Sequence, residues 1–201
     1  MGATGVGKSA LLNRLVRNIF CDGEDSVSIG ASAATSAEEE LYRMEIYCGE
    51  HCALHLELQD TASTLISHGM RRLAIATAHV FVLVYSVNDH NSFDDVLQLC
   101  EEIIKQRGSD DAPILLVGNK TDIHTDCRIT ISEAKQRASV WGVRVVEISA
   151  KYGTNASDIL HEILRLCDAS CDLFLQARRR GGWRHNIVYV VSCCFPRFLQ
   201  H

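Results

Sequence analysis

Near the start of the chain, Gly2-Ala3-Thr4-Gly5-Val6-Gly7-Lys8-Ser9 fits the pattern G-x-x-x-x-G-K-[ST]. Glycines at these spacings let the backbone curl so that successive N–H groups point at an anion, and a helix opening at Lys8 would add the partial positive charge of its N-terminus. The Lys8 ammonium can reach the terminal phosphates of a nucleotide and the Ser9 hydroxyl can bind Mg²⁺, with Ala10 completing the set of candidate nucleotide contacts. A glycine-rich turn that fits by chance is the plainer alternative for this motif taken alone.

A phosphate loop does not choose a base, but Asn119-Lys120-Thr121-Asp122 can. It follows the apolar run 114–117 and the turn residue Gly118, which puts it at the carboxyl edge of a parallel sheet, where such folds bind ligands. A carboxylate at Asp122 can accept hydrogen bonds from the N1–H and the 2-amino group of guanine, whereas adenine offers no donor at either place. Taken alone the tetrapeptide is an ordinary turn; the strand before it and the phosphate loop upstream reverse that reading. Glu147-Ile148-Ser149-Ala150-Lys151 ends another apolar run in a loop whose N–H groups could meet the base carbonyl. Asp60-Thr61-Ala62-Ser63 ends a strand where a carboxylate could hold the metal through water.

These residues need a scaffold that brings them to one edge. Residues 8–19 carry Leu11, Leu12, Leu15, Val16 and Ile19 at helical spacing. Tyr42, Met44 and Ile46, then Cys52, Leu54, Leu56 and Leu58, alternate with polar residues on either side of a turn, which predicts a β-hairpin. Continuous apolar runs at 80–85, 114–117 and 143–148 predict strands covered on both faces. Helices are predicted over 92–105, capped by Ser92, over 132–140 from Ser132, and over 155–178. Residues 31–40 lack apolar periodicity and are expected to form a flexible loop. The alternation of short apolar runs with amphipathic ones is that of a parallel sheet clothed by helices.

Composition sets the class. At 201 residues, 47% hydrophobic and 22% charged, with only 13 Gly and 2 Pro, the chain is one globular domain with a remainder and is neither collagen-like nor low-complexity. Its 20 basic and 25 acidic residues give a net charge of −5, so no global basic field exists to attract nucleic acid, and no nucleic-acid partner is expected. Nine cysteines, an odd number, and a start without a signal-peptide pattern point to a reducing, cytoplasmic setting. The longest apolar stretches, 78–87 and 187–195, fall well short of the roughly 20 residues that span a bilayer.

The phosphate loop, Asp60-Thr61-Ala62, Asn119-Lys120-Thr121-Asp122 and Ser149-Ala150-Lys151, in this order, resemble the small GTPases of the Ras superfamily, and the Ras family in particular. The resemblance covers residues 2–176 and includes Val80-Phe81-Val82-Leu83-Val84-Tyr85-Ser86 and Ser92-Phe93-Asp94. It implies an α/β P-loop NTPase, a three-layer sandwich with a mostly parallel sheet and one antiparallel hairpin strand, over residues 1–177 with a tail at 178–201. It also implies GTP and GDP as ligands, Mg²⁺ as cofactor, and a monomeric signalling switch that meets protein effectors, exchange factors and activating proteins. By the same resemblance Phe20 lies edge-on near the guanine, Lys120 lies along the base and the Ala150 N–H contacts its carbonyl. Ser9 and Asp60 serve the metal, and Lys8 and the residue at Thr64 serve the chemistry.

Four departures from the family's pattern qualify this. Such proteins enter the phosphate loop from a central strand lying between the hairpin and the later parallel strands, and here only Met1 precedes Gly2. That first central strand is therefore expected to be absent, with two unpaired edges inside the sheet and a chain unstable as written, as a truncated gene model or fragment would be. Ser63 stands where the family has Gly, and Thr64 stands where it has the Gln that orients the attacking water. Thr4 replaces a small Gly and projects toward the space an activator's arginine needs. Slow hydrolysis is the expectation, and a pseudo-GTPase interaction module is the alternative. Finally, the segment after Phe20 is longer than in Ras and has no clear Pro-Thr-Ile, which leaves Ser26 and Ser28 as candidate second hydroxyls for Mg²⁺.

In the tail, Arg178-Arg179-Arg180 precedes an apolar segment with Cys193-Cys194. A basic patch beside two cysteines suggests lipidation there and contact with the cytoplasmic face of the plasma membrane, against the alternative of a disordered or mis-spliced extension. Cys48, His51 and Cys52 have metal-like spacing but too few ligands.

Overall fold

Leu11, Leu12 and Leu15 share one face of a helix, and Lys8–Arg17 forms α1 with all three buried. In the computed structural model the described residues are 5–17, 29–36, 39–47, 53–60, 68–108, 112–123, 128–168 and 187–193. After α1 come β1 (Ile29–Ser36), β2 (Glu39–Tyr47), β3 (Ala53–Asp60), α2 (His68–Thr77), β4 (Val80–Ser86), α3 (His90–Arg107) and β5 (Ile114–Asn119). Then follow α4 (Ile131–Ala138) with a 3₁₀ turn at Ser139–Trp141, β6 (Arg144–Glu147), α5 (Ala156–Asp168) and β7 (Ile187–Cys193).

Among the described residues the strands form one seven-stranded sheet in the order β1-β2-β3-β7-β4-β5-β6. β1, β2 and β3 pair antiparallel, and from β3 through β7, β4 and β5 to β6 every pairing is parallel. Strand alternation divides the core into two layers. Val80, Val82 and Val84 of β4 join Leu11, Leu12 and Leu15 of α1 and Ile159 and Ile163 of α5; Phe81, Leu83 and Tyr85 join Ile75 of α2 and Phe93, Val96 and Ile103 of α3. This is the three-layer α/β sandwich expected of the fold.

The helices start and stop where local chemistry dictates. Asp89 caps α3 by accepting the Asn91 N–H at 3.0 Å, and Thr130 caps α4 by accepting the Glu133 N–H at 3.2 Å. These caps lie upstream of the predicted starts at Ser92 and Ser132. The Ser92 hydroxyl is instead inside α3, donating to the Asp89 carbonyl at 2.8 Å and accepting the Ser86 N–H at 3.0 Å. At the other end of α3, Arg107 donates to the carbonyls of Ile75 and Ala78, and its guanidinium stands 5.6 Å from the centre of the Phe81 ring. This ties α3 to the end of α2.

β7 corrects the sequence expectation most. The slot between the hairpin and the later parallel strands, where the resemblance puts a leading strand, holds Ile187–Cys193 from the far end of the chain. The two interior edges are therefore paired, and the residue range assigned to a tail at 178–201 contains a strand of the domain's own sheet. The physical reason is visible in composition: Ile187-Val188-Tyr189-Val190-Val191 is apolar without alternation, which suits a central strand rather than an exposed one. The route also obeys chain topology. β4, β5 and β6 step outward with α3 and α4 on one face, and α5 returns on the opposite face to β7; reversing direction and face together keeps the hand of the crossover.

Two further expectations change. Residues 31–40, read as a flexible loop, contain most of β1, whose small residues pair with β2 from Ile29↔Ile46 to Ser36↔Glu39; backbone pairing supplies the order that side-chain periodicity does not signal. The run 143–148 is covered on both faces, Val143 and Val145 packing on one core layer and Val146 and Ile148 on the other, but it is not interior: β6 is the sheet's last strand, with Arg144 exposed and Val145, Val146 and Glu147 half-buried. The hairpin, the first helix, and the strands at 80–85 and 114–117 form as expected, and α5 begins at Ala156 within the predicted 155–178.

Candidate nucleotide site

The phosphate end is built by a turn and a helix start. Gly5 and Gly7 take φ of +80° and +92°, the left-handed region that glycine enters freely. A Cβ on Gly7 would come within 2.5 Å of the Asn119 Nδ2, so this position also needs the space. α1 begins directly after, with the Leu11 N–H on the Gly7 carbonyl at 2.8 Å and no acidic residue in its first turn to neutralise the helix dipole. Lys8 is buried at this mouth and Ser9 is exposed on it, an arrangement that can receive an anion and a hard cation. Gly2, Ala3 and Thr4 lie outside the described residues.

The base end is a zipped pair of loops. β5 delivers Asn119, and Lys120 then turns the chain with φ of +71°, an uncommon conformation for a non-glycine residue. The buried Asn119 amide donates through Nδ2 to the Val6 carbonyl at 2.7 Å and accepts the Ala150 N–H on Oδ1 at 3.0 Å. One side chain therefore joins the phosphate loop to both base loops. The Ala150 N–H, which the resemblance aims at the base carbonyl, is thus already engaged by Asn119; a base carbonyl arriving there would share that donor. The Ser149 hydroxyl donates to Asp122 Oδ1 at 2.6 Å and accepts the Tyr152 N–H at 3.3 Å. Backbone bonds from Ile148 N to Gly118 O at 2.8 Å and from Thr121 N to Ile148 O at 3.2 Å close the two loops on each other.

Gly118 is required by packing: a Cβ there would meet the Tyr85 Oη at 2.7 Å and Glu147 Cγ at 3.2 Å. Burial pushes the Glu147 carboxyl up from its ordinary value, against the pull of Lys135. Arg14, which no motif flagged, donates from α1 to the Ala150 carbonyl through Nε at 3.1 Å and to the Lys151 carbonyl through Nη2 at 2.6 Å. A lone arginine on a helix reads as solvated surface, so only the fold shows where it reaches.

For Mg²⁺, Ser9 stands at the α1 mouth and Asp60 ends β3, the strand against which α1 packs, in register with Cys193. Hydroxyl and carboxylate oxygens are the donors this cation takes, so the residues fit it. Phe20, Ser26, Ser28, Ser63 and Thr64 lie outside the described residues, as do Cys48, His51, Cys52 and Cys194. Among the described residues no group of three His, Cys, Asp or Glu could hold a metal, and no helix is long and apolar enough to cross a membrane. Cys167 is a buried core residue, and burial followed by the charge of Glu101 pushes the Cys100 thiol up to about 12, which leaves it inert as a nucleophile.

The Ras family model matches residues 1–169. The chain belongs to the Ras family. Among curated relatives it is 31% identical over 182 residues to the Ras-like protein rasX of Dictyostelium discoideum, covering 90% of this chain and 80% of that protein. To the mouse GTP-binding protein Di-Ras2 it is 32% identical over 166 residues, covering 82% and 78%, and to the Dictyostelium Ras-like protein rasW 32% over 166 residues, covering 83% and 72%. As a Ras-family small GTPase the chain falls in a family that binds GTP and GDP and signals through effectors and regulators. Its Asn119-Lys120-Thr121-Asp122 and Ser149-Ala150-Lys151 segments converge in space.

Proposed function

We propose that this Ras-family chain binds GDP and GTP with Mg²⁺ and cycles between them as a cytoplasmic switch with slow hydrolysis. The observation that carries the reading is Asp122, held through Oδ1 by the Ser149 hydroxyl at 2.6 Å beside the loop that Asn119 ties to Val6. A carboxylate offers about four lone-pair positions, so a bound guanine can add its N1–H and 2-amino donors to those the protein supplies. Lys8 and the N–H groups at the α1 mouth would bind the phosphates. Mg²⁺ on Ser9 and, through water, Asp60 would neutralise charge on the β- and γ-phosphates.

Hydrolysis is attack of water on the γ-phosphorus; the bond to the β–γ bridging oxygen breaks, GDP leaves, and the water's proton ends on phosphate. Nothing in Thr64 can present an amide to that water, and Ser63 adds a Cβ where the family keeps Gly. Slow turnover follows, with a poor response to activating proteins because of Thr4. Effectors and exchange factors of the Ras class are the proposed partners. Cys193 is the last residue of β7 and Cys194 lies outside the described residues, so the proposed switch includes no lipid anchor.

The test measures binding of GDP, GTP and ATP with Mg²⁺ to the full chain, followed by single-turnover hydrolysis. GDP and GTP are expected to bind and ATP not. Asp122→Asn replaces an acceptor with a donor and should shift preference from guanine to xanthine nucleotides by about a hundredfold or more. Thr64→Gln should accelerate hydrolysis. Equal binding of ATP would overturn the assignment, and brisk hydrolysis by the unaltered chain would overturn its slow-turnover part.

A further inference from the structure

We propose that Arg14 is a positioning residue for guanine recognition, acting on Asp122 through a relay of hydrogen bonds; the inference rests on the guanine-nucleotide reading above. Arg14 lies on α1, the helix that receives the phosphates, yet its guanidinium serves the opposite end of the site. Nε and Nη2 take two successive carbonyls, those of Ala150 and Lys151, at 3.1 and 2.6 Å, as the planar fork of an arginine can and a lysine's point charge cannot. The stem passes over Gly153, whose φ is +76° and where an added Cβ would stand 3.4 Å from Arg14 Cδ.

No cis peptide occurs here, and in a trans peptide the C=O and N–H point in opposite directions. With the Lys151 carbonyl drawn toward α1, the Tyr152 N–H is turned away from it, and that N–H donates to the Ser149 Oγ at 3.3 Å. Its lone pair taken, the Ser149 hydroxyl directs its own proton to Asp122 Oδ1 at 2.6 Å. The sequence Arg14, peptide 151–152, Ser149, Asp122 is therefore a directed chain in which each donor fixes the next, and such chains polarise cooperatively. Two neighbouring peptides hold the same loop from the other side: the 150–151 peptide puts the Ala150 carbonyl on Arg14, and the 149–150 peptide puts the Ala150 N–H on Asn119. Arg14 thus couples the phosphate helix to the carboxylate that reads the 2-amino group of the base.

The test compares GDP with IDP, which lacks the 2-amino group, on the full chain and on Arg14→Met, which keeps an apolar stem, and Arg14→Lys, which keeps the charge. The GDP-over-IDP affinity ratio should fall about tenfold in Arg14→Met, the equivalent of one lost charge-assisted bond in orienting Asp122, and part of the way in Arg14→Lys. Thermal melting of each variant separates folding from recognition; if Arg14→Met does not fold, the ratio in Arg14→Lys decides. An unchanged ratio with equal losses for both nucleotides makes Arg14 merely structural and overturns the inference alone. Failure of the unaltered chain to bind GDP overturns the guanine reading, and this inference with it.

Discussion

On one side of β7 the hairpin strand β3 matches it along its whole length, from Leu54↔Ile187 to Asp60↔Cys193; on the other side β4 meets it at two positions, Val80↔Val191 and Phe81↔Ser192. The sheet thus has two unequal halves joined at a seam. β1, β2, β3 and β7 form one continuous ladder, β4, β5 and β6 another, and the backbone bonds across the seam sit at the carboxyl end of β7. What spans both halves is the layer under α1 and α5, where Tyr42, Met44, Leu56 and Leu58 of the hairpin share a core with Val82 and Leu115. The layer under α2, α3 and α4 gathers Phe81, Leu83 and Tyr85 of β4 and Ile114 and Leu116 of β5 with side chains of those helices, and α2 also lies against β7. A sheet interior demands a partner for every N–H and C=O but does not specify where in the chain that partner comes from.

The sharpest way to break the seam is Val191→Pro. Val191 stands in register with both Leu58 and Val80, so whichever neighbour its N–H faces, a ladder bond is lost there and an acceptor orphaned, at about 1–3 kcal/mol before any steric cost. Val188→Pro, in register with His55 alone, is expected to cost less. Melting curves of the two variants measure the difference, and nucleotide binding should fail first in Val191→Pro. Equal, small effects would mean that β7 does not occupy the slot.

The same halves explain what could be read from the sequence. In the β4–β6 half, the continuous runs and the Asn119-Lys120-Thr121-Asp122 and Ser149-Ala150-Lys151 motifs were legible because their signals are local: an apolar run, a turn, a short tetrapeptide. The phosphate loop and the helix behind it were legible for the same reason. In the other half β1 was hidden by Gly, Ala, Ser and Thr, which carry no periodicity, and β7 by distance. The apolar run at 187–195 is visible, but its place beside β3 depends on partners more than a hundred residues away, whereas the order of the motifs points to a strand upstream of Gly2. Arg14 was illegible for a related reason: its two acceptors are backbone carbonyls, which no residue type announces.

A second link joins the halves away from the sheet. Asn119, buried at the end of β5, reaches back to the Val6 carbonyl and holds the Ala150 N–H, so the phosphate loop is fastened to the β4–β6 half by one amide. Asn119→Ala leaves an acceptor and a donor buried without it. The expected loss is about 2 kcal/mol or more, near 5 °C in Tm for a chain of this size, with faster release of GDP. A variant that melts normally and still releases GDP quickly would confine Asn119 to ligand contact; one unchanged in both would remove the link from the comparison.

The smallest effect belongs to the outer edge of the β4–β6 half, where the carboxyl of Glu147 on half-buried β6 is pushed up by burial. A carboxyl held above its ordinary value means that the folded protein keeps this proton more tightly than the unfolded chain does. Its contribution is therefore full below the ordinary carboxylate range, is lost as pH rises through the raised value, and stays lost at neutral pH. Glu147→Gln removes that charge. Because much of the side chain still meets water, the gain at pH 7 should be only a few tenths of a kcal/mol, about 1 °C in Tm, and should vanish near pH 4. Melting scans at the two pH values check it. A gain that persists at pH 4 would come from packing, and would mean that the sheet's last strand is drier than the interior-to-edge gradient from β4 to β6 implies.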